Sequence, residues 1–237
     1  MNRMKNFLSL LFLISILTAC NSESSKSPAE YVDPFIGTAF HGHTYPGATV
    51  PFGGVQLSPD TRRNNWDACS GYHYSDSVIF GFSHLHLSGT GAIDLGDVLF
   101  HPTTKALELQ NEGYIFKPHA FSHENEVAEP GYYAVKLNDV GIKAELTTTA
   151  HTGFHRYTFP QSGESKIIVD LHHGLSDETI HGTGFQLSGD RELTGYRLTS
   201  GWTPNQHVYF VARFSKPFNS VSLISDEIGR ASCRERV

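Results

Sequence analysis

The sequence predicts an all-β protein, an antiparallel β-sandwich. Gly (22) and Pro (11) are scattered among Thr, Tyr and Phe over 237 residues, a mixture of turn formers and strand formers. Turns recur at roughly ten-residue spacing through the second half of the chain. No stretch of useful length carries a helical period. In chain order, VIF at 78–80 is a short buried run, and residues 121–127 are too short and too polar to assign. GYYAVKL at 131–137 reads as a strand, and GIKAELTTTA at 141–150 follows the turn at 138–141 as the second arm of a hairpin. In 153–159, Phe154, Arg156 and Thr158 alternate with His155, Tyr157 and Phe159, the period of a half-buried strand. Ile167, Ile168 and Val169 mark a core strand at 166–171, and residues 185–187, 192–199 and 207–214 continue the series. No repeat and no linker divides residues 30–226, which read as one sandwich domain.

Both ends differ from this interior. Arg3 and Lys5 precede a short apolar run at 7–17, the layout of an export signal. It closes on Leu17-Thr18-Ala19-Cys20, which resembles a bacterial lipoprotein cleavage box. Residues 1–19 are then the signal peptide, Cys20 carries the lipid, and 20–29 form a Ser-rich tether off a membrane. An ordinary secretory signal with a coincidental Cys is the alternative. Residues 227–237 form an abrupt basic tail with no apolar period, read as an artefact of the gene's 3′ end, with a natural basic tail as the alternative.

The formal net charge is −6, and removing the basic signal and the basic tail leaves a module still more acidic. A nucleic-acid partner held by a basic surface is therefore excluded. No apolar run past the first twenty residues is long enough to span a bilayer. With Cys20 lipidated and Cys233 in the tail, Cys69 stands alone and makes no internal disulfide.

Chemistry is expected in residues 31–102, which are loop-rich and dense in Gly, His, Asp and Ser. His41/His43 and His84/His86 are i, i+2 pairs that would share one face of a strand and could chelate a metal, or could be hydrogen-bonded loop or core histidines. His172-His173 is a poor chelate, because adjacent rings on a strand diverge. Asp94 and Asp97 are calcium-ligand types without the spacing of a calcium loop, which favours turn capping. A glycosidase needs two carboxylates across the scissile bond. Asp33, Asp60, Asp67, Asp76, Asp94 and Asp97 are candidates, and nothing in the sequence pairs any two. No Gly-x-Ser-x-Gly elbow is present, and the Gly-rich 88–91 lacks the lysine of a phosphate loop. Trp66, flanked by Asn64, Asn65 and Asp67, suits a sugar: the ring covers C–H faces while the amides and carboxylate take hydroxyls. A Trp plugging the end of the sandwich is the other reading.

Several motifs in one order carry a resemblance. They are YVDPFIGT at 31–38, GHTYPGATVPFG at 42–53, VQLSPDT at 55–61, Trp66-Asp67, SGYHY at 70–74, GFSHLHLSGTG at 81–91 and DLGD at 94–97. The series resembles the N-terminal domain of glycoside hydrolase family 92 α-mannosidases, densely over 31–102 and loosely beyond. That resemblance implies a supersandwich-like N-terminal β-sandwich followed by a C-terminal (α/α)6 barrel, which this sequence lacks. It implies a calcium-dependent, inverting exo-α-mannosidase, often α-1,2, acting on mannose-containing glycans at the cell surface or outer membrane. The catalytic acid and base and most calcium contacts belong to the barrel, so no catalytic or metal residue is assigned here, and the fragment alone is expected to be inactive. Substrate binding is carried onto Trp66, Asp67 and Gly47, with His84 and His86 as possible site-lining residues. The alternatives are a stand-alone carbohydrate-binding surface lipoprotein without catalysis, and a metal-binding lipoprotein using the His pairs.

Overall fold

The computed structural model describes residues 26–107, 117–225 and 231–236. The signal peptide and Cys20 lie outside these residues. Two units are distinguished, 1–32 and 33–237. Among the described residues of the first, a 3-10 turn, Pro28–Tyr31, closes with a Glu30 N–H bond to the Ser27 carbonyl at 3.0 Å.

Among the described residues the second unit holds sixteen strands: β1 (Ala48–Thr49), β2 (Gln56–Asp60), β3 (Val78–Ile79), β4 (Gly81–Ser83), β5 (Leu99–Thr103), β6 (His119–Ala120), β7 (Glu126–Glu129), β8 (Tyr132–Leu137), β9 (Ile142–Thr148), β10 (Gly153–Thr158), β11 (Lys166–Asp170), β12 (Thr179–Ser188), β13 (Glu192–Ser200), β14 (Gln206–Arg213), β15 (Ser220–Ser225) and β16 (Ala231–Arg236). All their pairings are antiparallel. A seven-stranded sheet runs β1-β2-β4-β5-β11-β16-β15, and smaller sheets run β10-β9-β8-β7, β12-β13-β14 and β3-β6. The protein is an antiparallel β-sandwich, as its composition and turn spacing predict. No helix among the described residues is long and apolar enough to cross a membrane.

The large sheet faces two partners. Ala48, Leu57 and Phe82 of β1, β2 and β4 pack with Tyr133, Val135, Leu137, Ile142, Ala144 and Leu146 of β8 and β9. Phe100, Ile167 and Val169 of β5 and β11 pack with Leu193, Phe185, Val208 and Phe210 from β12–β14. Tyr157 and Phe159 touch both clusters and join the two halves. Strand β11 is buried on both faces: Ile167 and Val169 enter the second core, while Ile168 packs with Leu99 on the other side. Along β10 the alternation holds, with Phe154 and Arg156 exposed and His155 and Tyr157 turned inward.

Strands β5, β12 and β16 depart from the sequence reading in different ways. Strand β5 is fully buried although it carries His101 and Pro102. Strand β12 extends from Thr179 rather than covering only 185–187. Its glycines are tolerated because a neighbour fills their space: a Cβ at Gly184 would lie 2.7 Å from the Tyr196 ring across the strand pair. Strand β16 lies past residue 226 and pairs with both β11 and β15, a ladder of backbone bonds that needs no apolar period.

Candidate functional site

Trp66 sits on a 3-10 turn, Trp66–Ala68, within the loop that leaves β2. Asn65 caps the turn, its side-chain oxygen accepting the Asp67 N–H at 3.0 Å. Asn64 adopts a positive φ of 50°, a conformation Asn tolerates better than most residues. The base of the loop closes where the Thr61 N–H donates to the Gly71 carbonyl at 2.7 Å. The loop also rests on the segment after β11. The Asn64 N–H donates to the Leu175 carbonyl and its side-chain amide to Asp177, both at 2.7 Å, and Arg63 Nε donates to the Gly174 carbonyl.

The indole is 52% exposed, so it does not plug the sandwich. The His43 ring meets it edge-on with centroids 4.3 Å apart, and His41 lies tilted at 5.2 Å. His41 Nδ1 is 2.5 Å from Asp67 Oδ1. Gly91 borders the same surface, where a Cβ would stand 3.4 Å from His43 and 3.5 Å from the indole nitrogen. An exposed aromatic ring beside a carboxylate–imidazole pair offers a flat apolar face and hydroxyl partners in one place.

Beneath this loop lies a buried polar cluster. Asp60, at the end of β2, is fully buried; His86 Nε2 lies 2.6 Å from one carboxylate oxygen and His173 Nε2 2.7 Å from the other. His86 Nδ1 donates to the Gln56 carbonyl at 2.7 Å. His86 Nε2 also lies 3.0 Å from Ser83 Oγ, so its contact with the Asp60 carboxylate is part of a buried polar network. Burial alone would raise the Asp60 carboxyl, but the charge and hydrogen bonds of His86 and His173 outweigh it and hold Asp60 well below the ordinary carboxylate range.

The ordered motifs of residues 31–97 now have a fold to belong to. The glycosyl hydrolase family 92 N-terminal domain matches residues 31–235. The chain belongs to this family. An uncharacterized secreted glycosidase of Arthroderma benhamiae is 32% identical over 173 residues, covering 69% of this chain and 22% of that protein. A family GH92 alpha-mannosidase of Bacteroides thetaiotaomicron, solved in complex with mannoimidazole, superposes with a TM-score of 0.82 at 38% identity, over 87% of this chain and 30% of that one. A family GH92 inverting mannosidase of the same organism shares the fold, with a TM-score of 0.69 at 23% identity over 89% of this chain and 30% of that one. The chain therefore spans less than a third of the length of these relatives.

Within this family 92 domain Gly47 and His86 are buried and His84 is half-buried. Gly47 is buried, and a Cβ there would lie 2.3 Å from the Leu57 carbonyl and 2.4 Å from Ser58, so packing against β2 already requires glycine. His84 and His86 have separate partners. His84 Nδ1 donates to the Val98 carbonyl at 2.7 Å, and His155 Nε2 donates to His84 Nε2 at 3.0 Å. Burial pushes the His84 imidazole down to about 4. His41 and His43 are engaged with Asp67 and Trp66 rather than with each other.

Asp94 and Asp97, the calcium-ligand types of the sequence, have partners within the protein. Asp94 accepts the N–H of its neighbour Leu95 at 3.0 Å and that of the distant Thr203 at 3.2 Å. Asp97 accepts from Arg197 Nη1 and Gln206 Nε2, both at 2.5 Å. Arg197 is itself fully buried and also donates to Glu178 and to the Leu171 carbonyl. Burial raises both Asp97 and Glu178 despite the guanidinium between them. Among the described residues no group of three or more His, Cys, Asp or Glu converges to hold a metal. Cys69 is buried as a free thiol, pushed up by that burial.

Sequence reasoning placed attention on the Trp66 loop through its composition, but it missed Asp60–His173 and Asp97–Arg197. These pairs are separated by 113 and 100 residues, and no local signal announces them.

Proposed function

We propose that this chain is the N-terminal, sugar-contacting domain of an exported, calcium-dependent, inverting exo-α-mannosidase that removes α-1,2-linked mannose from glycans. The observation that carries the reading is the half-exposed Trp66 beside the His41–Asp67 pair, in a chain 38% identical to an alpha-mannosidase solved with mannoimidazole. The indole face takes the apolar C–H face of a mannose ring, and Asp67 accepts hydrogen bonds from its hydroxyls. This domain binds and orients. Its buried carboxylates do not act as the acid and base of an inverting pair: Asp60, Asp97 and Glu178 are each engaged by His or Arg. Those two groups, and calcium as an oxygen-held ion, belong to the remainder of the longer enzyme. Export through residues 1–19 and lipid on Cys20 would set the enzyme at a bacterial surface, with mannose-containing glycans as its partners.

The test is to follow the reading frame of the locus past codon 226 and express the whole product. Mannose release from an α-1,2-mannobiose, lost with a calcium chelator and lost in Trp66→Ala, is the expected result. A genuine stop codon with saturable mannose binding would instead make this a carbohydrate-binding lipoprotein without catalysis. Release that is unchanged in Trp66→Ala would remove the role of the indole.

A further inference from the structure

Several of the contacts that hold the Trp66 loop from below converge on Asp60 and its two histidines. The loop's first stem continues directly from Asp60 into Thr61, whose N–H closes the loop on Gly71. The second stem lies on the Asp60–His86 contact itself: a Cβ at Gly71 would stand 2.6 Å from Asp60 Oδ1 and 2.9 Å from the His86 ring, and Gly71 sits at a φ of +89°. The middle of the loop leans on Gly174 and Leu175, the two residues that follow His173, and His173 is bonded to the other oxygen of Asp60. His173 Nδ1 has no hydrogen-bond partner in its buried position, so its bond to Asp60 is the one polar contact orienting that ring among the described groups. Asp60 also lies beyond reach of solvent and of any sugar.

We propose that Asp60 is a positioning residue for Trp66: one buried carboxylate, clasped by His86 and His173, fastens both stems of the loop and the segment the loop rests on, and so sets where the indole stands. A ring that stacks on a sugar must be held within a fraction of an ångström and a narrow range of tilt, and supporting hydrogen bonds supply that constraint. The effect on sugar affinity rests on the reading of Trp66 as the sugar platform; the effect on the indole's position does not.

The full chain contains two Trp, so Trp202→Phe leaves Trp66 as its sole indole reporter. In that background, acrylamide quenching of Trp66 is measured for Asp60→Asn and His173→Asn, and the dissociation constant for methyl α-mannoside and the thermal midpoint are measured for these two and for Trp66→Ala. Asn at 60 keeps the volume but presents an N–H where two imidazole donors need acceptors. The expected result for Asp60→Asn, at a temperature where it is fully folded, is clearly greater quenching and about tenfold weaker sugar binding. His173→Asn should move both in the same direction by less. A lowered midpoint with unchanged quenching and unchanged affinity would overturn the proposal, since a merely structural carboxylate behaves that way. If Asp60→Asn does not fold, His173→Asn decides alone: wild-type quenching in it contradicts the proposal. If Trp66→Ala binds sugar normally while Asp60→Asn still exposes the indole, the positioning role stands and the sugar-platform reading falls.

Discussion

Residues 31–102 and residues 126–213 are built by different means. The later region is hairpins: β7 to β10 and β12 to β14 pair with their sequence neighbours, and β10 and β14 alternate inward and outward along their length. The earlier region has strands of two to five residues, and all six non-glycine residues at positive φ among the described residues fall within it, from Phe40 to Val98. Beside its share of the apolar core it buries charge, with Asp60, His86, Asp94 and Asp97 all buried. Ladders and period-two patterning hold one region, while a few long-range charged contacts hold the other. The contrast teaches that a regular scaffold spreads its stability over many equivalent contacts, whereas a loop-built site concentrates it in a few.

The sharpest way to break the comparison is Arg197→Met. The guanidinium joins the later region to the earlier one, and its removal leaves the Asp97 and Glu178 carboxylates buried without a cation. A loss of about 3–5 kcal/mol is expected in urea unfolding. A loss below about 1 kcal/mol, the scale of a surface pair, would mean the two regions are not coupled through this charge. Glycines give the next contrast. Gly47→Ala should cost about 1–3 kcal/mol, because the new methyl meets the β2 backbone, whereas Gly163→Ala meets nothing within 4 Å and should stay within about 0.5 kcal/mol. Equal effects at the two sites in the same urea titration would erase the distinction.

Titration separates two acid-sensitive windows. His84 is held at about 4 against an ordinary 6.5, so the unfolded chain takes up its proton first. Stability should fall as pH drops from 6.5 to about 4, by roughly 3 kcal/mol from this group, and then level off for it. Asp60 is depressed below its ordinary 3.8, so its contribution persists through that window and is lost only at lower pH. Burial also lowers His101, His119 and His155, so melting curves of His84→Gln should show a shallower upper fall and an unchanged lower one. A single step unchanged by the substitution would contradict the assignment. The smallest effect is expected at Phe154→Ser, an exposed ring on the regular β10, within about 0.5 kcal/mol of wild type by the same melts.

The same contrast explains what the sequence made legible. Strand β13 runs Glu192–Ser200 where 192–199 was expected, because its period and its turns are local properties. The first half of β12 was missed because His181, Gly182 and Gly184 read as a loop, and only Tyr196 from the next strand shows why they pair. Trp66 was picked out by its Asn and Asp neighbours and by the motif series around it. Asp60 was one of six unpaired aspartates in the sequence, and His173 half of a poor chelate, until the fold brought them within 2.7 Å. Gly47 stood in a family motif as a substrate residue, and the structure adds a packing reason for its lack of a side chain.

The central claim is that the loop-built region presents a sugar platform on Trp66. Calorimetric titration of mannose into the full chain and into Trp66→Ala tests it most directly. The account predicts saturable binding in the millimolar range, about 4 kcal/mol at 1 mM, and its loss in the variant with an unchanged thermal midpoint. No binding by the wild-type chain, or equal binding by Trp66→Ala, would contradict it.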